Sequence, residues 1–127
     1  MEKSTRYEEW YFQSDYDLET AFDMFKSGRM VYCIFMCHLC LEKALKGLLL
    51  KKTGVYPLKS HNLSYFVEKI GLVLSDTQYE FLYMINKISV PTRYPENLQK
   101  LFAEFPKERT ELILEQTKEI QQWIKLQ

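Results

Sequence analysis

The sequence predicts an all-α fold, an antiparallel up-and-down bundle of four to five helices forming one domain over residues 1–127. Three observations carry that expectation. Apolar residues recur at three- and four-residue spacing through most of the chain, the period of a helix face. No segment alternates apolar and polar residues long enough to make a half-buried strand. Breakers are sparse, with four Gly and four Pro, and most fall between the periodic segments. Short links of that kind join antiparallel neighbours.

The first helix opens at a capping-box pattern, Thr5 with Glu8, and continues through Tyr7, Trp10, Tyr11, Leu18, Ala21, Phe22 and Phe25 to Gly28. The second runs from about Arg29 to Lys52 and stops at Gly54, a residue free to adopt positive φ. Its first half is apolar almost all round, which marks it as the central helix. Residues 53–61, TGVYPLKSH, read as a loop before a third helix from about Asn62 to Gly71. Ser75 and Gln78 form a second capping box and open a fourth helix, with Tyr79, Leu82, Tyr83 and Phe81, Ile85, Ile88 expected to face neighbours. Pro91 and Pro95 should break the chain around Thr92–Arg93–Tyr94, because each disfavours helix at the residue before it. From about Glu96 helix resumes, bends or breaks near Pro106, and ends through Leu112, Ile113, Ile120, Trp123 and Ile124.

A composition of 46% hydrophobic and 27% charged residues suits a packed body rather than a tail. Lys and Arg balance Asp and Glu at 17 each, so no global positive field exists to hold long nucleic acid. Locally the charge is uneven. Residues 2–23 hold seven acids against two bases, net −5, and residues 42–61 hold five lysines against Glu42, net +4. The opening MEKSTRYEEW has no apolar stretch, and the longest apolar run, Met30 to Cys37, is far shorter than a membrane span of about 20 residues. A cytoplasmic protein with reduced thiols and no membrane partner is the expectation.

Residues 37–47, CHLCLEKALKG, contain a C-x-x-C, yet Cys33, Cys37 and Cys40 fall at core-facing spacing within one helix and no second ligand pair exists. Structural zinc needs four converging ligands, so these cysteines read as small core residues, with no metal and no cofactor expected. His38, Glu42 and Lys46 stand four residues apart on one ridge. That ridge is either a solvated ion-paired stripe or part of a site. Topology favours a site, since a third and fourth helix paired as a hairpin bring His61 near Arg93. The same end receives Lys51, Lys52 and Lys59, the phenol of Tyr94 and the helix start after Pro95. Cations beside a helix start are what a phosphate or nucleotide needs.

Trp10, the Y-D-L of residues 16–18, Ala21, L-E-K-A-L-K-G at 41–47, K-S-H-N-L at 59–63 and T-R-Y-P-E at 92–96, in that order and spacing, resemble the HEPN domains. The resemblance covers nearly the whole chain and is with the stand-alone prokaryotic branch. It implies an antiparallel bundle, commonly a homodimer, often encoded beside a minimal nucleotidyltransferase in a toxin–antitoxin pair. Many such domains are metal-independent ribonucleases, in which an arginine is followed four to six residues later by a histidine at the dimer interface. Here Arg93 is followed by Y-P-E-N-L-Q-K-L with no later histidine, and Arg29 and His38 have the wrong spacing. The expected function is therefore a noncatalytic nucleotide- or RNA-binding protein using Lys46, His61, Arg93 and Tyr94, with Glu42 orienting Lys46 and His38 beside them. The alternative is a ribonuclease with a rearranged Arg93 and His61 pair, and a third role is that of a structural partner presenting an apolar patch.

Overall fold

The computed structural model describes residues 6–127 and consists of six helices: α1 (Tyr7–Lys26), α2 (Met30–Thr53), α3 (Leu63–Ile70), α4 (Asp76–Arg93), α5 (Leu98–Glu104) and α6 (Lys107–Lys125). Four long helices make the bundle, with α3 and α5 as short connecting pieces. Helix α2 touches each of the other five. That central place follows from its sequence, for its buried residues occupy every side of the helix from Val31 to Leu50.

Local signals set most of the ends. Helix α1 starts after Arg6; Thr5, the expected cap, lies outside the described residues. Gly54 closes α2 at φ 72°, where a side chain would be strained. Asn62 caps α3 by accepting from the Ser64 N–H. Ser75 and Gln78 make both bonds of the capping box at α4. Pro106 stands at the N-cap of α6 and separates it from α5.

Pro91 does not break the chain as expected. Helix α4 continues through it to Arg93. Proline removes one N–H, and the carbonyl it would have served belongs to Lys87, which is exposed to water. Nearby, Ser89 donates to the Asn86 carbonyl at 2.8 Å, and Thr92 donates to those of Ile88 and Ser89 at 3.0 and 3.1 Å. These hydroxyl bonds brace the last turns of the helix around the proline.

The α1–α2 hairpin is held by close approach as well as by apolar burial. A Cβ on Gly47 would lie 2.7 Å from the Tyr11 ring, so only glycine admits that contact. Ser14 donates to the Cys40 carbonyl at 2.7 Å, and Lys43 pairs with Asp17 at 3.0 Å. Burial pushes the Asp17 carboxyl above its usual range, and Lys43 pulls it back. Helix α6 closes the other side through Gln121 and Lys125, each 2.6 Å from Asp15. Cys33, Cys37 and Cys40 are fully buried free thiols on α2. On α4, Phe81, Leu82 and Ile85 are buried, but Tyr79 and Tyr83 are not packed against neighbouring helices as expected; they are exposed and stack on each other at 6.4 Å.

Candidate functional site

Glu42 sits at the middle of α2, 3% exposed, and four nitrogen-bearing side chains converge on it. Lys46, one turn along the same ridge, places Nζ 3.1 Å from Oε2. His61, from the loop before α3, places Nδ1 2.8 Å from Oε1. Arg93, from the last turn of α4, brings Nη2 to 3.7 Å of Oε1, and His38, one turn back on α2, has Nδ1 at 3.9 Å.

Two asparagines deliver His61 to Arg93. The Asn86 side chain on α4 accepts from the Leu63 N–H at 2.9 Å and donates to Asn62 at 3.2 Å. The first turn of α3 is thereby pinned to α4, with His61 immediately before the pin. Arg93 lies over the ring of Phe35 on α2, its Cζ 4.7 Å from the ring centre. Lys46 Nζ stands 5.6 Å from the Trp10 ring and 5.5 Å from the Phe66 ring, so its charge is enclosed by two aromatic faces and a carboxylate.

The solvated-stripe alternative for His38, Glu42 and Lys46 does not hold, because the arrival of α3 and α4 leaves them 1%, 3% and 6% exposed. Burial lowers the His38 pKa to about 4; Glu42 opposes that shift, and Arg93 adds to it. His38 is therefore neutral at pH 7, with the His61 backbone beside it as a weak opposing influence. Arg93 is 16% exposed along its side chain, with Nε and Nη2 both lacking a hydrogen-bond partner. His61 is open to solvent, at 63%.

Lys46, His61 and Arg93 thus meet although 47 residues separate the first from the last. Tyr94 goes elsewhere. It is 77% exposed and lines a cleft of about 380 Å³ between α4 and α5 with Val90, Pro91, Pro95 and Leu101. Lys51 turns to the Tyr7 ring at 5.5 Å, while Lys52 and Lys59 are exposed. The start of α5 is self-capped, with the Asn97 side chain taking the Lys100 N–H at 3.1 Å. Phe35, Phe66 and Asn86 had no motif to announce them. Asn86 alone left a trace, a polar residue beside Ile85 in an otherwise apolar stretch of α4.

The cysteines beneath the cluster are chemically quiet. The Cys37 thiol is pushed well up by its hydrogen bond with Cys33 and by burial, and burial takes Cys40 to about 12. Among the described residues no group of three or more His, Cys, Asp or Glu could hold a metal ion, and no helix is long and apolar enough to cross a membrane.

A family model described as the HEPN domain matches residues 7–127. Among solved structures, an archaeal HEPN homologue is similar in fold, with a TM-score of 0.66 and 23% sequence identity over 94% of this chain and 95% of that one. Comparison with curated proteins finds no match.

Proposed function

Because the chain belongs to the HEPN domain family, we propose that it is a noncatalytic binding protein that holds a phosphate group of a nucleotide or RNA at the mouth formed by Arg93 and His61. The observation that carries this is a charge excess with unpaired buried donors. One carboxylate, Glu42, faces both Lys46 and Arg93, so the cluster is one unit positive before either histidine is counted. Arg93 keeps Nε and Nη2 without hydrogen-bond partners. Buried donors and an uncompensated charge are costly in a protein interior, and an oxyanion relieves both. Lys46 has the role of holding Glu42 in place, and His61, exposed on the other side of the carboxylate, is the group a ligand meets first. In this proposal the protein acts as a homodimer in the cytoplasm beside a minimal nucleotidyltransferase, in a toxin–antitoxin type pair.

Titration calorimetry with a nucleoside monophosphate tests the site. Arg93→Ala should weaken binding at least tenfold while circular dichroism stays unchanged, and Arg93→Lys should recover only part, because an ammonium cannot replace a planar fork of donors. Equal affinity in wild type and Arg93→Ala would remove Arg93 from the site.

One observation favours a second reading, a metal-independent ribonuclease. His61 and Arg93 approach the same oxygen of Glu42, and a carboxylate holding Nδ1 leaves Nε2 on the exposed side of the ring, the arrangement of an oriented general acid or base. Labelled RNA incubated with the protein in chelator separates the two. Cleavage lost in both His61→Ala and Arg93→Ala supports the enzyme, and intact RNA at micromolar protein supports the binder.

A further inference from the structure

Helices α3 and α4 do not close fully on each other. Ser64, Val67 and Glu68 stand at i, i+3 and i+4 on α3, and Tyr79, Leu82 and Tyr83 repeat that spacing on α4, so each trio shares one helix face. Between the two faces lies a cleft of about 250 Å³, which Leu74 of the connecting loop also lines. Pockets for whole small molecules run from roughly 300 to 1,000 Å³, so this one suits a single long side chain.

Its lining has three parts of different chemistry. Val67, Leu74 and Leu82 are partly or fully buried and make an apolar wall. Tyr79 and Tyr83 offer aromatic faces, their rings 6.4 Å apart and within 16° of parallel, at 61% and 57% exposure. Glu68 is the one charged residue of the lining, and its carboxylate has no ion-pair partner among the described residues. Lys69, beside it, is turned to the Tyr65 ring at 5.9 Å. Between Lys69 and Lys87 the chain holds Asp76 and Glu80 and no base, and Lys87 does not line the cleft. Ser64 commits only its backbone N–H, to Asn62, and keeps its hydroxyl for another partner.

We infer that this cleft takes an arginine side chain from a basic segment of a partner protein. Arginine has an apolar stem, a flat delocalised cation and a fork of N–H donors, and each meets its counterpart here. The stem lies on Val67, Leu74 and Leu82, and the guanidinium lies over the tyrosine faces, whose π-clouds attract a cation. Its N–H groups donate to the Glu68 carboxylate and to the Ser64 hydroxyl oxygen. Other occupants fit worse. A phosphate is repelled by Glu68, so this cleft is separate from the nucleotide site at Arg93. An uncharged side chain would cover Glu68 without pairing it, and desolvating an unpaired carboxylate is costly. Asp76 and Glu80, on the first turns of the same helix, extend the attraction to neighbouring bases of the segment.

Nuclear magnetic resonance titration of the isotope-labelled protein with the blocked peptide Ala-Ala-Arg-Ala-Ala gives the test. Amide signals of α3, Leu74 and the first half of α4 should shift and saturate at millimolar peptide, as one side chain carries the contact. A peptide with citrulline in place of arginine keeps the shape, loses the charge and should not bind. Glu68→Gln and Tyr83→Ala should each weaken binding about fivefold with circular dichroism unchanged, since both side chains are exposed. Equal binding of the citrulline peptide would make the cleft an apolar groove and overturn the inference. Shifts spread along acidic α1 instead of the cleft would overturn it too. Spermidine that moves the same signals at lower concentration would reassign the cleft to a free polyamine and overturn the partner-protein assignment. Nucleotide binding by Arg93, measured separately, stands or falls on its own result.

Discussion

At the residue scale, Glu42 carries one negative charge and faces two fixed cations in a setting where none of the three is more than 16% exposed along its side chain. Removing that charge leaves Lys46 enclosed between Trp10 and Phe66 with nothing to balance it. Glu42→Gln should therefore destabilise the fold by about 3–5 kcal/mol in urea titration, the usual range for breaking a buried pair. Adding Lys46→Met should return part of it, because an apolar chain suits a slot between two aromatic rings; equal stability of the single and double variants would mean the two charges are not coupled. His38 gives a pH dependence of definite sign. Its pKa is about 4 when folded and 6.5 when free, so between those values the unfolded chain binds a proton the folded chain refuses. Stability is full above pH 6.5 and falls as pH drops toward 4, by about 2 kcal/mol between pH 7 and 5. Glu42, Arg93 and His61 are the charged or titratable groups facing it, and His38→Gln should flatten this slope relative to wild type. A slope unchanged in that variant would assign the effect to another group. None of this burial was legible from spacing. His38, Glu42 and Lys46 occupy a ridge that an isolated helix would show to water, and it is covered by residues distant in sequence: Trp10, His61, Phe66 and Arg93.

At the element scale, the ends written in nearby residues were readable: Gly54, Asn62 and the Ser75–Gln78 box stand where the chain chemistry puts them. Pro91 was not, because the rule that proline stops a helix weighs one lost hydrogen bond, and that loss falls at exposed Lys87 while the Ser89 and Thr92 hydroxyls bond neighbouring carbonyls of the same turns. Tyr79 and Tyr83 fit a buried face by period alone, but they stand across a cleft of about 250 Å³ from Ser64, Val67 and Glu68 of α3 and stay exposed. Gly47 marks a close approach of α2 to α1. Gly47→Ala improves helix propensity by about 1 kcal/mol, yet its methyl group meets the Tyr11 ring, whose hydroxyl is itself buried and raised to about 12 by burial. The clash should win, with a net loss of about 1–3 kcal/mol in thermal or urea unfolding. Asn86→Ala should instead act on a single joint. Hydrogen exchange at the Leu63 amide should accelerate, and nucleotide affinity should drop even if global stability falls by only about 1 kcal/mol, because His61 loses its anchor. Unaltered exchange at Leu63 would show that α3 is held by packing alone.

At the scale of the whole molecule, one helix runs through the middle of the bundle and meets all the others, so the apolar core and the charged cluster are two faces of the same α2. This is why the fold class could be read from periodicity and the composition of α2 while the site needed the folded arrangement. It also ties binding to integrity, since a change that shifts α2 along its axis moves Glu42 relative to both His61 and Arg93. Three sulfur atoms lie on that helix with no exposed surface. An alkylating reagent can reach them only in the rare moments when the surrounding helices separate, so the speed of labelling in native buffer counts those moments directly. The protein in this way contains its own stopwatch for opening, readable by mass without any attached dye, and any ligand that binds only the closed bundle should make it run slower.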